Sequence, residues 1–139
     1  MECIFCKIIN GEMPSAKIYE DENQIAFLDI FPASRGHTLL VPKKHHVNIF
    51  DVDEESAKPV YPALSVIAKA LRAVTGCAGL NIVQNNEAAA GQVVFHSHVH
   101  LIPRYENDTI KVTVAGKEQA DGAVLAEMAK KIRTALKTA

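Results

Sequence analysis

Three histidines alternate with other residues as His96, His98 and His100. This two-residue period predicts a β-strand over residues 95–103 with all three imidazoles on one face. The opposite face of that strand is predicted to be apolar and carries Phe95, Val99 and Leu101. Side chains two apart lie about 6.6 Å apart along a strand, too far for three of them to bind one ordinary metal ion unaided. The spacing favours a row of groups along a polyphosphate or a phosphoryl centre. A solvent-facing polar strand and a metal site are the alternatives.

A second candidate for chemistry is the Cys-x-x-Cys pair formed by Cys3 and Cys6. Three cysteines in total do not build a disulfide framework, and in a reducing compartment such a pair indicates metal binding or redox chemistry. A tetrahedral zinc site needs two more nitrogen or sulfur ligands. The histidines available for this are His37, His45, His46 and His96. Two free cysteines on a helical turn remain an alternative, as does a redox pair, although the βαβ setting of thioredoxin-like proteins is absent. We expect Cys77 to be a small buried residue.

Composition predicts one domain over residues 1–139, because 139 residues with 48% hydrophobic side chains can bury a core. Fifteen basic and sixteen acidic residues give a net charge of -1, so no global field attracts nucleic acid or an anionic membrane. The longest apolar runs, such as 38–42, have about five residues, against roughly 20 for a membrane span. The N-terminus lacks the pattern of a signal peptide. We therefore expect a cytoplasmic protein that holds any anionic ligand locally.

The elements that position these residues are predicted from hydrophobic periodicity. Strands are predicted over residues 16–19, 24–29, 38–42, 78–84 and 95–103, and helices over 3–10, 53–74 and 117–137. The apolar stripe of the main helix comprises Val60, Leu64, Ile67, Ala68, Leu71 and Val74. Regular helix should start or bend near Pro59, because Pro59 and Pro62 lack an N–H, and Gly76 should end it. The predicted fold class is α+β, with a five-stranded antiparallel sheet, a main packing helix and a C-terminal helix.

Taken together, these motifs resemble the histidine triad (HIT) superfamily, whose His-x-His-x-His-x-x signature matches residues 96–102. Further segments match in order, namely Cys-Ile-Phe-Cys-Lys-Ile-Ile at 3–9, Met-Pro-Ser-Ala-Lys at 13–17, Ala-Phe-Leu-Asp-Ile at 26–30, Gly-His-Thr-Leu-Leu-Val-Pro-Lys at 36–43 and Gly-Gln-Val-Val-Phe at 91–95. The chain is most similar to the branch of small nucleotide-binding phosphoramidases and hydrolases with a zinc-binding Cys-x-x-Cys. The resemblance implies a single HIT domain with a core over about 3–105 and a C-terminal helical extension over about 117–138.

The resemblance also implies catalytic roles. His98 is then the nucleophile that attacks the α-phosphate of a purine nucleotide derivative and forms a nucleotidyl-histidine, which water hydrolyses. His100 stabilises the phosphate oxygens or assists the leaving group, and His37 packs or hydrogen-bonds beneath the site. The substrates implied are phosphoramidates, adenylylated amines or dinucleoside polyphosphates. The alternative is a purine-nucleotide binding or signalling module with vestigial hydrolysis.

The same resemblance implies a set of nucleotide-binding residues. Asp29 accepts from the ribose hydroxyls, although by itself it is also typical of a strand-end carboxylate. Asn85, with Asn86 as a competitor, and the 91–93 segment contact the phosphate. The members of that segment are Gly91 for close approach, Gln92 through its amide, and Val93 through its N–H. The base pocket is expected from Phe5, Ile8, Phe27 and Ile30. Val93 stands where the family commonly has a serine, which puts leaving-group assistance in question.

For the metal, the resemblance selects Cys3, Cys6, His45 and His96 as ligands of a structural zinc ion. Four protein ligands leave no open position for water, and such an ion ties the N-terminal turn to the catalytic strand. The resemblance further implies a homodimer that pairs through a strand edge and the helix around residues 59–75.

Overall fold

The structure, a computed structural model, describes residues 2–112 and 116–138. The predicted domain also includes Met1, residues 113–115 and Ala139, which lie outside the described residues. The chain divides into two compact units, Met1–Thr109 and Ile110–Ala139. Among the described residues we find no helix with the length and apolar character that a membrane span requires.

A five-stranded antiparallel sheet forms the centre of the first unit, as the sequence predicts. Its strands, within the described part of the chain, are β1 Lys17–Glu20, β2 Gln24–Leu28, β3 Thr38–Pro42, β4 Gly79–Val83 and β5 Val99–Arg104. Their order is β1-β2-β3-β5-β4, so β5 lies inside the sheet and β4 at its edge. The α+β fold class is confirmed.

Three helices accompany this sheet in the described part of the first unit: α1 Ile4–Ile9, α2 Glu54–Ala57 and α3 Val60–Thr75. A short 3-10 turn covers Ala88–Ala90. The predicted break near Pro59 is confirmed, since α2 ends two residues before it and α3 begins directly after it. Asp53 caps α2 by accepting a hydrogen bond from the Ser56 N–H. Gly76 ends α3 in the left-handed conformation.

The buried stripe of α3 differs from the predicted one at its C-terminal end. Leu64, Ile67 and Leu71 are buried as predicted, whereas Val74 is 82% exposed, so its assignment to the core is wrong. Leu71 and Thr75 face Gly36 at this end of the helix. These two lie one turn apart on the same helix face, which turns Val74 away from the sheet.

The two faces of the sheet build two separate hydrophobic clusters. The α3 face contains Ala26, Leu40, Ala63, Leu64, Ile67, Leu71, Val99 and Leu101. The α1 face contains Phe5, Ile25, Phe27, Leu39 and Val41. His100 is the direct cross-strand partner of Leu39, and side chains of paired residues point to the same face. The α1 face therefore carries His100.

The histidine segment forms less strand than predicted. β5 begins at Val99 rather than Phe95, so of the three histidines only His100 is a strand residue. The Ser97 N–H donates to the His46 carbonyl at 2.8 Å, outside the sheet ladder, and this bond bends the chain before β5. Val99 and Leu101 do lie on the opposite, α3 face, whereas the Phe95 side chain is half exposed and belongs to neither cluster.

The second unit contains α4, Gly122–Lys137. Its start is five residues later than predicted, because the Asp121 side chain accepts from the Ala123 N–H and caps the helix there. The helix is amphipathic as predicted. Its apolar stripe is exposed and consists of Val124, Leu125, Met128, Ile132 and Leu136.

Gly36 allows the turn before β3 to approach α3 closely, and we expect Gly36→Ala to destabilise the protein. The φ angle of +91° already costs a side chain about 1–2 kcal/mol. A Cβ atom would also lie 3.1 Å from Thr75 Cγ2 and 3.3 Å from Pro103 Cγ. With overpacking added, urea unfolding should show a loss of about 2–5 kcal/mol.

Gly11→Ala is the matched control, because Gly11 has a φ of +77° and nothing within 4 Å of the added Cβ. This variant should lose only the about 1–2 kcal/mol due to backbone conformation. Equal losses for both variants would show that the close approach at Gly36 contributes nothing.

Candidate functional site

His98 is a buried imidazole whose proton position is set by the backbone. Its Nδ1 lies 2.7 Å from the His96 carbonyl oxygen. Because a carbonyl only accepts, Nδ1 donates, and the neutral ring keeps its lone pair on Nε2. Burial lowers the pKa of His98, so the neutral form dominates at pH 7. The Phe5 ring packs edge-on against the imidazole with 5.1 Å between centroids. His98 therefore has the lone pair that a nucleophile needs.

His37 places the ring proton of His100 on Nε2, the opposite nitrogen from that of His98. The Ala33 N–H donates to His37 Nδ1 at 2.9 Å, so a neutral His37 carries its proton on Nε2. His37 Nε2 then donates to His100 Nδ1 at 2.8 Å, which leaves the His100 proton on Nε2. Burial, followed by the neighbouring His98 and His37, lowers the pKa of His100 to about 4. His100 is thus a neutral hydrogen-bond donor, 5.1 Å from His98 between ring centroids.

Asp29, His37 and His100 bring three possible metal-binding atoms within 4.8 Å of one another. The Ala33 N–H nevertheless occupies the lone pair of His37 Nδ1, so Nε2 holds the ring proton and is not a ligand. Asp29 Oδ2 lies 3.6 Å from that same Nε2. Burial lowers the pKa of His37, and the Asp29 carboxylate partly opposes this shift. These side chains form a hydrogen-bond relay, and the position of His37 beneath the histidine row agrees with prediction.

A second cluster joins the N-terminal helix to the first histidine of the row. The Sγ atoms of Cys3 and Cys6 and one nitrogen each of His45 and His96 all lie within 4.8 Å of one another. His96 Nδ1 is 3.4 Å from Cys3 Sγ, 3.5 Å from Cys6 Sγ and 3.0 Å from His45 Nδ1, and Cys6 Sγ is 3.4 Å from His45 Nδ1. Ligands of a tetrahedral zinc ion lie roughly 3.3–3.8 Å apart, given bonds of about 2.0–2.3 Å. This cluster could hold a metal ion.

The backbone prepares His96 for such a role. Its Nε2 lies 2.7 Å from the Pro42 carbonyl, so Nε2 donates and the Nδ1 lone pair faces the two sulfur atoms. Metal-binding histidines usually donate their other N–H in this way. Burial and the adjacent Cys3 raise the pKa of Cys6 to about 11, so a cation that binds here must displace the thiol proton.

Helix α1 brings the two cysteines together because residues three apart share one face of a helix. Cys3 is its N-cap, and Cys3 Sγ accepts from the Cys6 N–H at 3.4 Å. Of the other histidines considered as ligands, His37 belongs to the relay. His46 lies on the α3 side of the sheet beside Leu40 and Val99. The structure therefore assembles the four residues that the resemblance selects.

The residues expected at the base and ribose have different surroundings. Phe5 and Phe27 are buried and pack edge to face at 5.6 Å, so most of their surface is in the core of the α1 face. Ile8 packs against the same cluster, whereas Ile30 is 80% exposed. Asp29 is half-buried at the end of β2, where its Oδ1 accepts from the Phe31 N–H.

The loop of residues 85–92, called here the 85–92 loop, distinguishes its two asparagines. Asn85 Nδ2 lies 3.4 Å from the Gly91 carbonyl. Asn86 Oδ1 instead accepts from the Ile49 N–H at 2.9 Å and ties the loop to a neighbouring segment. Gly91 has a φ of +90°, a conformation that favours glycine. Asn85 is therefore the asparagine beside the glycine.

Gln92 has every hydrogen-bond donor in use. Its Nε2 donates to the Val47 and Val94 carbonyls, and its backbone N–H donates to the Glu87 carbonyl. The predicted contact between the Gln92 amide and a ligand therefore has no donor to supply it. The N–H of the next residue, Val93, is engaged by no other residue in the described ranges, and its side chain is 84% exposed. Val93 is the position from which this segment offers a backbone donor.

Sequence reasoning missed two residues that hold this region together, Asn48 and Glu87. The Asn48 side chain is buried and donates to Glu87 Oε1 at 3.1 Å and to Gln92 Oε1 at 3.0 Å. An asparagine is by itself a turn signal, which gives no hint of a distant partner. Nothing in the sequence marks the positive φ of Glu87.

Comparison with known proteins places this site in a family. Residues 10–107 match the model of the HIT domain. Protein hit of Bacillus subtilis is 52% identical over 103 residues, which are 74% of this chain and 71% of that protein. Adenylylsulfatase HINT3 of Arabidopsis thaliana is 41% identical over 109 residues, which are 78% of this chain and 55% of that protein.

Solved structures share the fold. The histidine triad nucleotide-binding protein from Candida albicans has a TM-score of 0.89 and 33% identity, over 99% of both chains. A Zn-bound histidine triad family protein from Mycobacterium smegmatis has a TM-score of 0.76 and 37% identity, over 97% of this chain and 98% of that one. With a matching domain model, high identity and a common fold, this chain belongs to the HIT family.

Proposed function

We propose that this protein is an enzyme that attacks the α-phosphate of purine nucleoside 5'-phosphate derivatives through a nucleotidyl-histidine intermediate. The observation that carries the proposal is the opposite proton placement on two adjacent rings. His98 keeps a lone pair on Nε2, whereas His100 keeps a proton on Nε2. Relatives support the substrate class, since one is described as an adenylylsulfatase and another as a nucleotide-binding protein.

The first step forms a bond from His98 Nε2 to the α-phosphorus and breaks the bond from phosphorus to the leaving group. The bonding electron pair departs with the leaving group, which takes a proton from solvent or from His100 Nε2. The nucleotidylated ring carries bonds on both nitrogens and is cationic, and the His96 carbonyl stabilises it by accepting from Nδ1–H. Water then attacks phosphorus, and the bond to Nε2 breaks with its electron pair returning to His98 as a lone pair. The water gives up a proton, to His100 Nε2 where that ring protonated the leaving group and otherwise to solvent, and the product is the nucleoside monophosphate.

Binding of the nucleotide is divided among three parts of the site. The Asp29 carboxylate, at the end of β2, accepts from the ribose hydroxyls. The Val93 N–H, Gly91 and Asn85 surround the phosphate, and Gln92 holds this segment in place. The base lies against the exposed Ile30 and the partly buried Ile8, beside the buried rings of Phe5 and Phe27. Since these groups read no base edge, they favour a purine for its area without selecting adenine or guanine.

Val93 affects which leaving groups the enzyme handles well. Its side chain is exposed beside the site and has no hydroxyl that donates to a departing amine. Sulfate and polyphosphate leave as weakly basic anions and need less protonation than an amine. We therefore expect dinucleoside polyphosphates and adenylyl sulfate to be better substrates than phosphoramidates.

The same position supports a second candidate function, a purine-nucleotide binding module in which hydrolysis is vestigial. In such a module the Val93 N–H still binds the phosphate, and only the hydroxyl that would donate to a leaving group is missing. Covalent labelling separates the two functions, because a binding module forms no nucleotidyl-histidine.

We also propose that the cluster of Cys3, Cys6, His45 and His96 holds a structural zinc ion. The close approach of these four ligand atoms and the Pro42 bond to His96 support it, as does the Zn-bound relative from M. smegmatis. Bound zinc supplies a crosslink between α1 and the histidine segment. Because α1 also carries Phe5, this crosslink holds the ring that packs on His98. Reduced thiolates are required, which agrees with a cytoplasmic location.

A homodimer is proposed from the free edge of the sheet. Strand β4 pairs only with β5 among the described strands, so its other side is open to a second copy. Ile82 on β4 and Tyr61 on α3 are exposed apolar side chains. Pairing through this edge and α3 covers both.

The covalent mechanism predicts that His98→Asn abolishes labelling. Rapid mixing with diadenosine tetraphosphate or adenylyl sulfate labelled at the α-phosphorus, followed by an alkaline quench, should give up to about one adenylyl group per wild-type chain. His98→Asn should give none and lose about 1,000-fold or more in kcat/KM. His100→Asn is the control, because it keeps the nucleophile and should label slowly. Hydrolysis by the wild type without labelling would contradict the mechanism, and nucleotide binding without either would favour the binding module.

The zinc proposal predicts one zinc ion per chain by elemental analysis. Cys6→Ser and His96→Asn should lose it, while His98→Asn and His100→Asn should keep it. A chelator should lower the unfolding temperature, because binding to the native state stabilises it. Metal lost from the His98 and His100 variants but kept in Cys6→Ser would place the ion on the histidine row instead.

The dimer proposal predicts a mass of two chains in sedimentation equilibrium. Ile82→Asp and Tyr61→Asp should shift the mass toward one chain, because each places a charge in the interface. Ile18→Asp is the matched control, since Ile18 is an exposed apolar residue on β1, the opposite edge of the sheet. A monomeric wild type, or equal effects at both edges, would contradict pairing through β4.

A further inference from the structure

Three polar side chains, of which two are buried, form a bridge behind the site, and we call Asn48, Glu87 and Gln92 the amide brace. Asn48 is 2% and Gln92 is 5% exposed. Burial of an amide is unfavourable unless its donors and acceptors are paired, so such groups normally have a defined task. The brace joins the 85–92 loop to the segment of residues 45–51, called the 45–51 segment.

Asn48 is the centre of the brace and uses both ends of its amide. Its Nδ2 donates to Glu87 Oε1 at 3.1 Å and to Gln92 Oε1 at 3.0 Å. Its Oδ1 accepts from the Phe50 N–H at 3.0 Å. Two donors and an acceptor are thus satisfied at once, which fixes both the position and the orientation of the amide.

The brace holds the 85–92 loop in a conformation that the loop alone disfavours. Glu87 has a φ of +76°, which is uncommon for a residue with a Cβ atom. Its N–H donates to Gln92 Oε1 at 2.8 Å, and its carbonyl accepts from the Ala90 and Gln92 N–H groups. The amide and the backbone N–H of Gln92 are all hydrogen-bonded. The first backbone N–H after the loop that has no partner in the described part of the chain is therefore that of Val93.

The 45–51 segment is itself anchored to the reaction centre. His45 belongs to the metal cluster, and the His46 carbonyl accepts from Ser97, between two histidines of the row. The Val47 carbonyl accepts from Gln92 Nε2 at 2.7 Å. Asn48 therefore links the 85–92 loop to the 45–51 segment, which also contacts the histidine segment that contains His98.

We propose that Asn48 is a positioning residue that sets the Val93 N–H against the α-phosphate through the amide brace. The proposal rests on the proposed nucleotide function and concerns only the phosphate part of the ligand. Asp29 and the apolar residues of the α1 face belong to other elements, so nucleoside binding does not depend on the brace. The distinctive consequence is a loss of affinity for nucleotide without a loss for nucleoside.

The test uses Asn48→Asp in the full chain with its bound metal. The new carboxylate keeps the size of the side chain and the acceptor for the Phe50 N–H. It replaces a donor by an acceptor facing two oxygen atoms, of Glu87 and Gln92, and so breaks the brace. Calorimetry with AMP and adenosine, and with GMP and guanosine, should show nucleotide affinity about 10-fold weaker or more, with nucleoside affinity within about twofold.

Glu87→Gln provides the rescue. Alone, it should weaken nucleotide binding slightly, because an amide oxygen replaces a charged acceptor for Asn48. Combined with Asn48→Asp, the new amide donates to the new carboxylate and restores the bond with reversed polarity. Part of the nucleotide affinity should return in the double variant, because the contact of residue 48 with Gln92 Oε1 stays broken. Such a partial return is a non-additivity that general destabilisation does not produce.

Glu87→Ala covers the case in which Asn48→Asp does not fold. Glu87 is exposed, and its removal leaves the bond from Asn48 to Gln92, so a smaller loss confined to nucleotide is expected. Equal losses for nucleotide and nucleoside, or unchanged nucleotide affinity in a folded variant, would overturn the role of Asn48. A wild type that binds no purine nucleotide would instead refute the proposed function, and the inference with it.

Discussion

Each buried histidine of this site has one ring proton, and the backbone determines which nitrogen carries it. The carbonyls of His96 and Pro42 accept from His98 and His96, while the Ala33 N–H donates to His37. Because burial lowers the pKa of these rings, each stays neutral at pH 7 and carries its single proton on one of its two nitrogens. One hydrogen bond per ring therefore decides which nitrogen offers a lone pair and which one offers a proton.

This constraint explains why similar residues two apart in the chain have different surroundings. His96 faces two sulfur atoms, His98 packs on Phe5, and His100 bonds to His37. A regular strand would hold all three in one row with equal environments. The bend at residues 94–96 and the Ser97 N–H, which donates to the His46 carbonyl and not to a strand, separate the sulfur-facing His96 from His98 and His100. The departure from strand geometry is thus part of how the site works.

Much of the fold follows from local patterns that the sequence displays. Alternation and apolar runs predict the five strands, and two prolines predict the break between α2 and α3. The pairs that complete the site are far apart in the chain, as with Asn48 and Gln92, which are 44 residues apart. No periodicity links such residues, and their hydrogen bonds depend on loop conformations such as the positive φ of Glu87. The prediction that Val74 is buried was wrong for a related reason. Periodicity predicts which face of the helix is apolar, but tertiary contacts decide that Thr75, and not Val74, packs at the end of the helix.

Local contacts orient the proposed nucleophile, whereas tertiary contacts position the proposed phosphate-binding donor. Proton placement on His98 uses a carbonyl two residues away and survives small movements of the loops. In the proposed function, phosphate binding uses the Val93 N–H, whose position depends on buried amides contributed by two loops. An unpaired buried amide costs about 1–3 kcal/mol, so the conformations of these two loops are energetically coupled. The proposed nucleophile is therefore oriented by its own segment, whereas the proposed anion site depends on hydrogen bonds between segments far apart in the chain.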